Sequence, residues 1–164
     1  MYQFLSYLSF YFKATNQHGV HSPFVYDYVT TCIYKKSNLR LPVALKILVK
    51  NLHYFECTTL GLLHEKSEIK HEIKLVCPGI SFTLTKPDAL YAEIENLDFK
   101  DIDSFHLHND TVLVVNTIHK SAPNFEKWEA LKKLPQVSVT VDLFYCGVVF
   151  FRKEQVTEHF KIRI

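Results

Sequence analysis

Cysteine pairs at metal or redox spacing, an apolar run long enough to cross a bilayer, a block of like charge and any internal repeat are all missing from this chain of 164 residues. Cys32, Cys57, Cys77 and Cys146 stand far apart with no C-x-x-C pair, which leaves no zinc ribbon or thioredoxin-like motif and little support for a disulfide framework; reduced thiols are expected. No apolar stretch approaches the roughly 18 residues a membrane span requires, so no membrane partner is expected. Nineteen Lys and Arg against seventeen Asp and Glu leave a net charge of +2. That is too little long-range attraction to favour a nucleic-acid partner, even if folding gathers Lys35, Lys36, Arg40, Lys46 and Lys50 on one surface. Residues 4–12 are apolar, but no Lys or Arg precedes them, Lys13 follows at once and no small-x-small cleavage pattern appears. The chain therefore reads as cytoplasmic.

What is present is apolar bulk: 48% hydrophobic and 14% aromatic residues, enough for one domain with a single core. Residues 2–14 place Gln3, Ser6, Ser9 and Lys13 along one narrow stripe. Tyr2, Phe4, Leu5, Tyr7, Leu8, Phe10, Tyr11 and Phe12 fill the remainder at helical spacing. One layer of contact cannot cover so wide a face. The helix is either sandwiched within its own domain or offers a second surface, with Phe4, Tyr7, Leu8 and Tyr11, to another subunit or partner. Ser22-Pro23 reads as an N-cap and first-turn proline of a second helix reaching about residue 34. Pro42 starts a third, with Leu41, Ala44, Leu45, Leu48 and Leu52 on one face and Lys46, Lys50 and His53 on the other.

Beyond Cys57, short apolar runs at 58–63, 73–77, 80–84, 89–94 and 111–115 read as strands. Residues 98–108 form an ambiguous helical turn, and Pro123 opens a helix with Phe125, Trp128, Leu131 and Leu134 on one face. A hairpin follows. Val137, Val139 and Val141 alternate with Ser138, Thr140 and Asp142, and the return at 148–151 is apolar throughout, as in a strand buried on both faces. The expected architecture is one α/β domain over 1–164: a helical segment, 1–54, packed on a sheet-containing core, 55–164.

Two stretches carry a resemblance: Asn16-Gln17-His18-Gly19-Val20-His21-Ser22-Pro23-Phe24, and Asp142-Leu143-Phe144-Tyr145-Cys146-Gly147-Val148-Val149-Phe150-Phe151-Arg152-Lys153-Glu154-Gln155. Together they resemble a family of class I S-adenosylmethionine-dependent methyltransferases associated with Bacteroidota. The likeness covers residues 1–35 and 111–164 and is loose over 41–110. It implies a reduced Rossmann-like methyltransferase sheet ending in an antiparallel hairpin. Members carry a glycine-rich E-x-G-x-x-x-G turn after the first strand, an acid for the ribose hydroxyls after the second, and a run like I-F-D-D-I-H-W-S at the fifth. Here residues 54–65 keep one glycine, Gly61, after Leu60; Cys77 with Pro78 stands in the acid's place; and the third run reads Val114-Val115-Asn116-Thr117-Ile118-His119-Lys120-Ser121.

The resemblance thus assigns Leu60, Gly61, Cys77 and Asn116 to the cofactor and His119 as a candidate base, on a frame stripped of its glycines and carboxylates. Only nine residues separate Leu63 from Ile73 and two separate Cys77 from Ile80; parallel crossovers need a dozen or more, so whole helices are expected to be missing. The expected function is a degenerate, non-catalytic methyltransferase-like protein that works through self-association or pairing with an intact relative, with no cofactor. The alternative is an active S-adenosylmethionine-dependent methyltransferase of unknown acceptor. His18 and His21 have His-x-x-His spacing but lack further ligands, so no metal is expected. They belong to a turn in which Gly19 supplies unusual dihedrals, and both are candidates for partner contact. Cys146 is read either as a nucleophile served by His119 or as a small thiol in a turn.

Overall fold

The computed structural model describes residues 2–64, 67–104 and 106–164. The helical segment comprises α1 (Tyr2–Lys13), a 3-10 turn (Gln17–Gly19), α2 (Pro23–Asp27) continuing as a π-helix (Tyr28–Ile33), and α3 (Val43–Tyr54). The core then runs β1 (Thr59–Leu62), α4 (Ser67–Val76), β2 (Ser81–Phe82), β3 (Ala89–Glu93), a 3-10 turn (Ile94–Asn96), α5 (Phe99–Ser104), β4 (Val112–Asn116), α6 (Ala122–Leu131), β5 (Val139–Asp142), β6 (Cys146–Phe150) and β7 (Glu158–Lys161). No helix among the described residues is long and apolar enough to cross a membrane.

Local chemistry accounts for the helix starts. Ser22 Oγ accepts a hydrogen bond from Val25 N with Pro23 in the first turn, and Ser121 Oγ accepts one from Asn124 N ahead of Pro123. Each satisfies a backbone donor that the helix leaves open. Gly19 does not act through its dihedrals, because none of the glycines has positive φ. It is needed for space: a Cβ there would lie 1.9 Å from Thr15 Oγ1.

The strands form one sheet in the order β2-β1-β3-β4-β6-β5-β7, with β6 antiparallel to β4 and β5 and the other pairs parallel. With the edge strand β7 set aside, this order is the doubly wound 3-2-1-4-5-6 without its strand 3 and with an antiparallel strand inserted before the last. This is a reduced Rossmann-like sheet carrying the antiparallel β5–β6 hairpin, with β7 added at its edge. One face packs Val25, Tyr28, Leu45, Leu48, Leu52 and Ile73 from the helices against alternate strand residues; the other packs Ile102, Trp128 and Leu131.

Residues 73–77 are not a strand. Ile69, Ile73 and Val76 recur at helical spacing along α4 and turn toward the core, Ile73 being fully buried. A run of apolar residues read alone concealed that period. The first crossover therefore keeps its helix, and the shortening lies after β2, where residues 83–88 alone lead to β3. Leu60 pairs with Phe82 on one side and Ala89 on the other, so the link crosses β1 at that level. It passes over Gly61, whose missing Cβ would sit 3.1 Å from Thr83 O and 3.0 Å from Leu84 Cδ2.

β7 was not foreseen from the sequence. It adds to β5 in parallel, and Thr15 bridges to Ile162, which ties the end of α1 to the sheet edge. At the opposite end, Asp88 pins the start of β1, accepting from Thr58 N at 2.8 Å, Thr59 N at 2.9 Å and Thr58 Oγ1 at 3.0 Å. Burial pushes this carboxyl up, but those hydrogen bonds outweigh it and hold it below its ordinary value. The depressed group contributes stability above the usual carboxylate range and loses it as pH falls. Asp88→Asn is expected to cost about 1–2 kcal/mol at pH 7, with the gap to the unmodified protein narrowing in denaturant titrations below pH ~4.

Candidate functional site

Ligands of open α/β sheets bind outside the carboxyl ends of the strands. Here that edge is formed by Glu93 ending β3, Asn116 ending β4 and Asp142 ending β5. Glu93, 9% exposed, draws together three donors: Asn116 Nδ2 at 3.1 Å and Tyr91 OH at 3.3 Å on Oε1, and Thr117 Oγ1 at 3.3 Å on Oε2. Thr117 holds φ 62 in the turn after β4, the left-handed region that non-glycine residues seldom adopt. Sequence reading missed Glu93, because it ends an apolar run and two of its three partners, Asn116 and Thr117, come from the end of β4 and the turn after it.

His119 follows in the same turn and is 3% exposed. Its ring lies between Phe125 and Phe144, stacked at centroid distances of 4.8 Å on both sides, with Phe10 edge-on at 5.7 Å. Both nitrogens are engaged, Nε2 with Asp142 Oδ2 at 2.8 Å and Nδ1 with Ser6 Oγ at 3.0 Å. Asp142 Oδ1 accepts from Phe144 N at 2.9 Å, so the carboxylate is an acceptor on both oxygens. In a neutral imidazole beside that carboxylate, Nε2 of His119 carries the proton and Nδ1 accepts from the Ser6 hydroxyl. Cys146 is fully buried, and burial followed by the Asp142 charge holds its thiol well above the ordinary range. With His119 committed at both nitrogens, the Cys146 and His119 pair is not a nucleophile and base.

A groove of about 380 Å³ opens beside this edge, bordered by Gln3, Pro42, Asn116, Thr117, His119 and Tyr145. Of the four positions assigned to a cofactor, Asn116 alone lies on it. Leu60 is fully buried within β1. Gly61 is also within the strand, and the volume its side chain would take is filled by Leu90 Cδ2, 2.4 Å from a Cβ, and by the crossing residues Thr83 and Leu84. Cys77 is not at a strand's carboxyl end; it follows α4 at the amino end of the sheet, with its Sγ 3.8 Å from His53 Nε2, and burial raises its pKa. Glu65, at the end of the expected glycine-rich stretch, lies outside the described residues. Leu60, Gly61 and Cys77 therefore do not meet at the groove: the one glycine of that stretch is covered by protein, and the cysteine is at the other end of the sheet.

α1 docks through Phe10 and the half-buried Ser6, while Gln3, Ser9 and Lys13 of its polar stripe stay exposed. Gln3 borders the groove, and Ser6, Ser9 and Lys13 line a second cleft of about 330 Å³ with His119, Phe125 and Lys161. Phe10 is the one buried aromatic of the helix. Tyr7 is half exposed with its ring edge 5.0 Å from Phe144, and Tyr11 lies under the Arg163 guanidinium at 5.2 Å. Phe4 and Phe12 are 66% and 82% exposed, with Leu5 and Leu8 exposed between them. His18 and His21 are exposed as well, His18 with Gln17 as its neighbour at 3.3 Å. No group of three or more His, Cys, Asp or Glu among the described residues is placed to hold a metal ion. Lys35, Lys36 and Lys50 do gather, around a cleft beside the π-helix.

The sequence matches no family model and no curated protein. Among solved structures it is similar to a candidate caffeoyl-CoA O-methyltransferase from Staphylococcus aureus, with a TM-score of 0.46 and 8% identity over 82% of this chain and 94% of that one.

Proposed function

We propose that this chain is a methyltransferase-like protein that does not transfer methyl groups and acts through a protein contact made by the outer face of α1, in the simplest case with a second copy of itself. The observation that carries this reading is the orientation of α1. An amphipathic helix on a globular domain buries its apolar face; this one buries only Phe10 and leaves Phe4, Leu5, Leu8 and Phe12 in solvent. A contiguous apolar patch of that kind marks an interaction surface. The crossing of β1 over Gly61 supports the non-catalytic half of the proposal, since backbone close approach by a ligand is blocked where a glycine remains. Light scattering tests the contact: the unmodified chain is expected to run as a dimer or larger, and the Phe4→Glu, Phe12→Glu double variant as a monomer with unchanged circular dichroism. A monomer in both cases overturns the proposal.

A second reading, an active S-adenosylmethionine-dependent methyltransferase of unknown acceptor, is favoured by one observation. Glu93 supplies an acid at the carboxyl edge, held by Asn116 and Thr117 beside the groove. Calorimetric titration decides: micromolar binding of S-adenosylmethionine that Glu93→Gln weakens supports this reading over the first, and no heat at millimolar ligand removes it.

A further inference from the structure

We infer that Ser6, His119 and Asp142 form a serine-nucleophile site that hydrolyses small acyl esters carrying a carboxylate. The inference does not rest on the contact proposed above: Phe4, Leu8 and Phe12 lie outside the cleft, and Leu5 alone is shared. Three features point to it. With a neutral imidazole facing an Asp142 carboxylate the hydrogen bonds run in one direction: Ser6 Oγ donates to His119 Nδ1 at 3.0 Å, and His119 Nε2 donates to Asp142 Oδ2 at 2.8 Å. This is the relation of nucleophile, base and orienting carboxylate that activates a hydroxyl. The imidazole is also held in place by stacking on Phe125 and Phe144, so its direction is set before any ligand arrives. Finally, Ser6 is half-buried and opens on the 330 Å³ cleft, whose lining includes Ser9, Lys13 and Lys161 and no Asp or Glu among the described residues. A cavity of that size takes a short acyl group, and two ammonium groups without a facing carboxylate select an anionic one.

Ser6 Oγ attacks the ester carbon as its proton passes to His119 Nδ1. The tetrahedral oxyanion collapses, the bond to the leaving alcohol breaks, and the proton at Nδ1 goes to that alcohol. Water then attacks the acyl-serine and gives a proton to Nδ1. The acyl–Oγ bond breaks, Ser6 recovers the proton, and the acid is released. Asp142 is a positioning residue throughout.

Mono-4-nitrophenyl succinate and a fluorophosphonate reagent on the full chain test this. Succinate ester hydrolysis is expected to fall at least about 100-fold in Ser6→Ala, with mass mapping placing the fluorophosphonate on Ser6 of the unmodified protein. Because Ser6 is small and partly exposed, Ser6→Ala is expected to keep its circular dichroism. Lys13→Gln is expected to raise KM for the succinate ester about tenfold more than KM for the acetate ester, a split that a purely structural hydroxyl would not produce. Equal hydrolysis by Ser6→Ala, or a fluorophosphonate adduct absent from Ser6, overturns the inference and leaves the hydroxyl as a latch for α1.

Discussion

Gly147→Val is expected to lower the melting temperature by roughly 10 °C, although a β-branched residue in a central strand ordinarily helps. A Cβ at Gly147 would lie 2.3, 2.6 and 2.8 Å from three atoms of the Trp128 indole. The ring is rigid and fully buried among the α6-side core residues, so it has nowhere to withdraw. β6 cannot retreat either: Gly147 pairs with Val115 on one side and Asp142 on the other. Overpacking of this kind costs about 3 kcal/mol or more. Trp128→Leu opens the space and costs a similar amount alone through the void it leaves. The double variant is therefore expected to be less destabilised than the sum, with a coupling of about 1 kcal/mol or more in denaturant titrations. A Gly147→Val melting point within roughly 2 °C of the unmodified protein would mean that the sheet and α6 separate more easily than this packing allows.

Asp142→Ala is the second large effect, expected at about 3 kcal/mol because it strands two buried donors, His119 Nε2 and Phe144 N, at about 1–3 kcal/mol each. Asp142→Asn is expected to cost about a third of that. Its Oδ1 keeps the Phe144 N–H, its Nδ2 donates to His119 Nε2, and the imidazole answers by moving its proton to Nδ1, where the Ser6 hydroxyl accepts it. The two variants should separate clearly in urea titration. Hydrogen exchange of the amides of α1 supplies the second readout. Loss of protection is expected in Asp142→Ala, because the clamp that receives Ser6 and Phe10 is no longer held. Equal stability of the alanine and asparagine forms would refute this account of the pair.

Much of the frame was legible from local pattern. The stripe along residues 2–14, the Ser22-Pro23 cap and the alternation of Val137, Val139 and Val141 each follow from contacts within a turn or a pleat, which sequence spacing records. The same approach failed at residues 73–77, where Ile73 and its neighbours look β-like alone and helical only with Ile69 included. It also gave Cys77 a strand end it does not occupy. Of the site, Asn116 and His119 were marked by position after an apolar run. Glu93 and Asp142 were not: their roles depend on partners 23 residues away across the sheet, and Ser6 meets His119 across 113 residues.

The order of apolar and polar residues, with its caps and prolines, was sufficient to determine an α/β domain of N-terminal helices before a sheet that closes in a hairpin, because these are short-range periodicities. Only the tertiary structure decided that α1 would dock by Phe10 and Ser6 and leave Phe4 and Phe12 in solvent, that a chain crossing would cover Gly61, and that one histidine would join a serine to a carboxylate. Each of these depends on which surfaces meet in space. A side chain's energy in a fold is set by neighbours far along the chain, and no local spacing carries that information.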